Sequence, residues 1–130
     1  MLSEEMYLEH ILDHYKNPRN TGTIEQADIE HHDYNPTCGD EITFFLKLGK
    51  DQTVQDIKFL GKGCAISQAS ASLLSESLKG KALAEVKQVT NADVLELLGI
   101  PIGAVRMKCA LLSLKAIEKG IRKFEGGTPP

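Results

Sequence analysis

Apolar and polar positions follow different rhythms along this chain, and each change of rhythm marks an element. From about Ser3 to Tyr15, the residues Leu8, Ile11, Leu12 and Tyr15 recur at helical spacing and predict one apolar face. Ser3 is placed to cap that helix, with Glu4 and Glu5 favourable in its first turn and Met6 three residues past the cap. Asn17-Pro18-Arg19-Asn20 ends it, because the residue before a proline is pushed out of the helical region. Three strands are predicted next, at roughly Asp28–Tyr34, Glu41–Leu48 and Val54–Leu60. Ile42, Phe44, Leu46 and Leu48 alternate in the second, and Gly49-Lys50-Asp51-Gln52 supplies its hairpin turn. The third carries Val54, Ile57 and Phe59 and ends in Gly61-Lys62-Gly63, where the glycines are expected to let the backbone bend.

Helical spacing returns after Cys64, where Ile66, Ala69, Leu73 and Leu74 line one side of a small-residue segment closed by Lys79-Gly80. Shorter helical pieces are expected at about Leu83–Gln88 and Ala92–Leu97. A last helix is expected from about Met107 to Phe124, with Ala110, Leu114, Ile117 and Ile121 on one face. Early strands followed by helices predict an α+β fold: a three-stranded antiparallel sheet with helices packed on one face. Residues 1–125 read as a single domain, and Gly126-Gly127-Thr128-Pro129-Pro130 as a frayed tail.

Composition narrows the function more than the fold. The chain has 130 residues, 42% of them hydrophobic and 25% charged, which suits one soluble globular domain. A net charge of −3 offers no basic face for nucleic acid, and with no Trp and 5% aromatics there is no platform for stacked bases. No apolar run approaches the length that spans a bilayer. The acidic start Met1-Leu2-Ser3-Glu4-Glu5-Met6 lacks the basic and apolar regions of an export signal. With an odd number of cysteines besides, a reducing compartment is expected, the cytoplasm.

The three cysteines carry the candidate chemistry. Cys38 sits in Asn35-Pro36-Thr37-Cys38-Gly39-Asp40, Cys64 in Gly61-Lys62-Gly63-Cys64-Ala65-Ile66-Ser67, and Cys109 in Arg106-Met107-Lys108-Cys109-Ala110. Each lies at the end of an expected element: the turn between the first two strands, the strand-to-helix junction, and the start of the last helix. The exposed N–H groups of a helix start favour a thiolate, so Cys64 and Cys109 are expected to deprotonate readily. Three thiolates fall one ligand short of a tetrahedral zinc site, and Asp40 is the nearest fourth; the same ligands could hold an iron–sulfur cluster. The spacing has nothing of a local zinc knuckle, so a shared site must be built by folding, and buried structural cysteines stand as the alternative.

These three segments, together with Tyr7 and the run His14-Tyr15-Lys16-Asn17-Pro18-Arg19-Asn20-Thr21-Gly22, resemble the motifs of the NifU/IscU/SufU iron–sulfur cluster assembly family. The resemblance implies an α+β domain that gathers Cys38, Asp40, Cys64 and Cys109 on one surface as a ligand set. It also implies sulfur accepted from a cysteine desulfurase and passed, as sulfur or as a cluster, to downstream assembly or acceptor proteins. Two branches are in view. Arg106-Met107-Lys108-Cys109-Ala110 is similar to the SufU-type branch, a zinc protein that relays persulfide sulfur, since Lys108 stands where the scaffold branch has His. Ile102-Gly103-Ala104-Val105-Arg106 likewise replaces that branch's chaperone-read stretch. The interval between Cys64 and Cys109, however, is too short for the extra segment of the SufU type and matches the scaffold type, which would hold a transient [2Fe–2S] cluster. Cys38 is the expected persulfide acceptor, because Gly39 follows it as a hinge and no helix start pins it. Neither role makes the chain an enzyme in the strict sense, and a purely structural zinc site is disfavoured by the carboxylate in the ligand set.

Other polar groups have plainer readings. Arg106 and Lys108, in the first turn of the last helix, are either solvated cations or partner contacts. His10 and His14, four apart on the first helix, are expected to be structural rather than metal ligands. His31 and His32 fall on opposite faces of a strand and are expected in solvent. Ser67, Ser70, Ser72, Ser75 and Ser77 predict close helix packing, and Gly61-Lys62-Gly63 lacks the rest of a phosphate loop.

Overall fold

The computed structural model describes residues 3–126; the remainder of the expected tail, 127–130, lies outside the described residues. The chain runs α1 (Glu4–Lys16), β1 (Ile29–Tyr34), β2 (Glu41–Leu48), a 3₁₀ turn (Lys50–Gln52), β3 (Val54–Lys62), α2 (Ala65–Leu78), α3 (Leu83–Val86), α4 (Asn91–Leu98) and α5 (Ala104–Phe124). The strands form one antiparallel sheet in the order β1-β2-β3. Its hairpin closes where Asp51 and Gln52 adopt positive φ, conformations that β-branched residues resist.

Register fixes which face is buried. Ile29, His31 and Asp33 of β1 lie opposite Leu46, Phe44 and Ile42 of β2, and these face Ile57, Phe59 and Gly61 of β3. The apolar members of those rows join Leu74 and Leu78 of α2 and Leu114, Ile117 and Ile121 of α5 in the main core, so the helices cover this one face. Gly120 allows the closest approach of α5: a Cβ there would stand 3.0 Å from Ile29 Cγ2 and 3.1 Å from His31 Cβ. His31 is therefore half-buried, a correction to the solvent position expected for it, while His32 is exposed. A second core, of Ile11, Ala69, Leu73, Leu98 and Ala110, joins α1, α2, α4 and α5.

Two of the boundaries that differ from expectation bear on the site. β3 runs on to Lys62, so Gly61 is a strand residue paired with Ile42 rather than part of a bend. The last helix begins at Ala104, three residues early, with Gly103 as its cap.

The first helix forms as its cap predicts, with the Met6 N–H donating to Ser3 Oγ at 3.2 Å, yet it buries a different face. Leu8, Leu12 and Tyr15 are exposed, whereas Ile11 and His14 are buried. His14 decides the orientation. Its Nδ1 lies 2.7 Å from Ser72 Oγ on α2, and that oxygen already accepts the Arg19 N–H at 2.9 Å. The serine hydroxyl is thus free to donate to a neutral imidazole, whose Nε2 faces Glu76 at 3.5 Å. Burial lowers the His14 pKa, helped by the Arg19 and His10 charges and opposed by Glu76 and Asp13. A histidine depressed in the folded state takes up its proton more readily when unfolded. Stability should therefore fall as pH drops below about 6.5, with a slope from this group of at most about 1.4 kcal/mol per pH unit. Calorimetric melting of the wild type and His14→Gln between neutral and mildly acidic pH checks this, since only the wild type should carry that component.

The serine-rich helix packs as expected. Ser70 Oγ donates to the Ala110 carbonyl at 2.7 Å and meets Ser113 Oγ at 3.1 Å, so hydroxyls stand at the α2–α5 contact where bulkier groups would hold the helices apart.

Candidate metal centre

Two loops and a helix converge at one end of the sheet. The turn after β1 is built by Asn35, whose N–H donates to the Asp40 carbonyl (2.8 Å), whose carbonyl accepts the Gly39 N–H (2.8 Å), and whose Oδ1 accepts the Thr37 N–H (3.0 Å). Gly39 completes it at φ +77. This leaves Cys38 exposed at the rim and turns Asp40 inward, where it is 2% exposed. The strand-to-helix junction brings up Cys64 as the N-cap of α2. Cys109 descends from α5 and is buried.

Asp40 is the hub. Its Oδ1 accepts the Cys64 N–H at 3.0 Å, and its Oδ2 lies 3.6 Å from Cys64 Sγ. Cys38 Sγ and Cys109 Sγ are 3.5 Å apart, far beyond a disulfide bond, and all three cysteines are free. Ligand atoms of Cys38, Asp40 and Cys109 all lie within 4.8 Å of one another; Cys64, expected as a fourth ligand, stands outside that group and touches it only at Asp40 Oδ2. The set fits a thiophilic divalent ion: two thiolates about 2.3 Å from a tetrahedral ion stand roughly 3.8 Å apart, close to the observed sulfur pair.

Electrostatics follow from this packing. Burial alone would raise the Asp40 pKa, but hydrogen bonds from the Cys109 thiol, the Cys64 N–H and the other two thiols outweigh it and hold the carboxyl below its usual value. Burial is also the first cause that pushes the Cys109 thiol well above its ordinary range, followed by its hydrogen bonds to Asp40 and Cys38. That corrects the expected easy deprotonation of Cys109. With α5 starting at Ala104, Cys109 is its sixth residue, past the terminal N–H groups, whereas Cys64 does occupy a helix start.

One contact, between Gly63 and Asp40, joins segments far apart in sequence and has no local pattern to announce it. Gly63, at φ +150, lets the backbone pass so close to Asp40 that a Cβ would stand within 3.0 Å of three atoms of that side chain, Cβ, Cγ and Oδ1. The contact's one sequence signal is Gly61-Lys62-Gly63 before Cys64, which predicts a bend and not a cradle. Arg106 and Lys108 are both exposed, Arg106 in the first turn of α5 and Lys108 in the second. His10 and His14 belong to no cluster of ligand atoms found among the described residues.

Residues 6–128 match the model of the NifU-like N terminal domain. The zinc-dependent sulfurtransferase SufU of Bacillus subtilis is 39% identical across 95% of either protein. Its alignment spans 141 residues, more than the 130 of this chain, so it includes positions that this chain lacks. The iron–sulfur cluster assembly scaffold protein IscU 1 of Archaeoglobus fulgidus is 40% identical over 116 residues, 89% of this chain and 74% of that protein. Among solved structures, a candidate iron–sulfur cluster assembly scaffold protein for the SUF system of Fervidobacterium islandicum superposes with a TM-score of 0.75 at 29% identity, covering 92% of this chain and 99% of that one. A family match across nearly the whole chain, on a fold that groups Cys38 and Cys109 with Asp40 and sets Cys64 beside that carboxylate, places this protein in the NifU-like N terminal domain family.

Proposed function

We propose that this protein works in iron–sulfur cluster assembly as a zinc-dependent sulfur acceptor: it takes sulfane sulfur from a cysteine desulfurase at Cys38 and passes it to downstream assembly proteins. The observation that carries the reading is the pairing of one exposed thiol, Cys38, with a buried thiol and carboxylate, Cys109 and Asp40, beside a third cysteine. Cys38, Asp40, Cys64 and Cys109 would hold the zinc ion, which when bound would keep their sulfurs as thiolates. The chain's own work is then to present and to protect. Gly39 and the Asn35 turn place Cys38 at the rim, where its thiolate can attack the outer sulfur of the desulfurase persulfide. The enzyme's cysteine leaves as a thiolate and Cys38 becomes the persulfide, with no net change of oxidation state. Lys108, in place of a histidine beside Cys109, supports this branch. A thiol relay of this kind needs a reducing compartment such as the cytoplasm.

A second reading, a scaffold on which a [2Fe–2S] cluster is assembled as cargo, is favoured by chain length. The alignment with the sulfurtransferase has positions this chain lacks, and the interval between Cys64 and Cys109 holds no added element beyond α2, α3 and α4. Metal and sulfide analysis separates the two. Protein purified without air is analysed before and after incubation with a desulfurase, cysteine and ferrous iron. The relay predicts about one tightly held zinc per chain, no cluster and faster desulfurase turnover. Zinc displaced by a transferable cluster assigns the scaffold role, and inert thiols without any metal overturn both.

A further inference from the structure

A groove of about 200 Å³ lies behind the Cys38 turn, between α5 and the end of β1, lined by Asp33 to Thr37 on one side and by Lys108, Leu112, Lys115 and Lys119 on the other. We propose that it is a docking groove for an extended acidic segment of a partner protein.

Charge is the first reason. On a chain of net charge −3, α5 sets Lys108, Lys115 and Lys119 on one face, and among the described residues neither Lys108 nor Lys115 has a carboxylate within ion-pair distance. Both are exposed, and Leu112 between them is buried and supplies an apolar floor.

The second reason is Asp33. Its Oδ1 accepts the Tyr34 N–H at 2.9 Å, while its Oδ2 is buried without a well-formed hydrogen bond and only faces the Lys119 ammonium at 3.2 Å. Asp33 thus balances the Lys119 charge from within the protein, and Lys108 and Lys115, on either side of Leu112, are left as the cations that can meet an acidic segment.

Spacing then defines the ligand. Lys108 and Lys115 are seven residues apart on a helix, about 10.5 Å along its axis. On a segment extended as polyproline II, with three residues per turn and a rise of about 3.1 Å, acidic residues three apart share one face and span about 9 Å, so acid-x-x-acid is the matching pattern. The opposite wall, Asn35 to Thr37, leads directly into Cys38, so a partner seated here contacts the turn that presents the thiol.

Amide NMR titration of the full chain at low ionic strength, with an acetylated and amidated Glu-Gly-Ser-Glu peptide, tests the proposal. Shifts should concentrate at residues 33–37 and 108–119. Lys115→Glu should weaken binding about tenfold, the loss of one charge-assisted contact. Lys50→Glu, on the distant hairpin, should leave binding unchanged. Equal weakening by both variants, equal binding of Gln-Gly-Ser-Gln, the same shifts from inorganic phosphate, or no shift at these residues would each overturn it. No sulfur chemistry enters this titration, so docking and sulfur acceptance at Cys38 can fail separately.

Discussion

Gly63→Ala should dismantle the Asp40 cradle while leaving every cysteine in place. The new methyl group would overlap the Asp40 side chain and occupy a backbone conformation, φ +150, that L residues rarely adopt. Asp40 must then move, and a nearly buried carboxylate gives up the Cys64 N–H bond that helps keep it ionised. Backbone strain and the unmade hydrogen bonds together are expected to cost about 3 kcal/mol. In a domain of this size that corresponds to a melting temperature lower by roughly 10 °C. Gly39→Ala is the control: its φ of +77 is also left-handed, but nothing lies within 4 Å of the added Cβ. Strain alone remains there, about 1 kcal/mol. Calorimetry of both variants without metal, then zinc titration against a competing chelator, checks the contrast. Wild-type melting and zinc affinity in Gly63→Ala would mean that the close approach is not what holds Asp40.

What the sequence reveals and what it hides divide along physical lines. Elements with their own local signals were legible: Ser3 capping α1, the Lys50–Gln52 hairpin, and alternation at Ile42, Phe44 and Leu46. The face of α1 was not, because hydropathy counts Leu8, Leu12 and Tyr15 and overlooks His14. Only the tertiary partner, Ser72 on a helix 58 residues away, makes burying an imidazole favourable. The start of α5 was hidden because Gly103 caps it with no side-chain hydrogen bond. Those three added residues turn Cys109 from a thiol at a helix terminus into a buried one. The candidate ligands themselves were legible as residue types in broken patterns. Their mutual distances were not, since Asp40 meets Cys64 and Gly63 only once β2 and β3 are paired.

Cys38 and Cys109 offer the sharpest division of labour, and serine separates their roles. Cys38 is exposed on a turn held by backbone hydrogen bonds, so Cys38→Ser should change stability by no more than about 0.5 kcal/mol. The same change removes the most exposed of the three thiols, the one presented at the rim to a docked desulfurase, and sulfur acceptance should fall by about a hundredfold or more. Cys109 is 3% exposed, and Cys109→Ser puts a hydroxyl in place of a thiol that packs as an apolar group, at a cost of about 1–2 kcal/mol. Its serine variant should still take up sulfur at Cys38, though with weakened zinc binding. Intact-mass spectrometry after incubation with a desulfurase and cysteine reads the result as a one-sulfur increment, and peptide mapping locates it. An increment retained in Cys38→Ser and lost in Cys109→Ser would reverse the assignment. Sulfur would then have to reach a buried thiol, so the Asn35–Gly39 turn would have to open before transfer, and α5 rather than the rim would carry the acceptor.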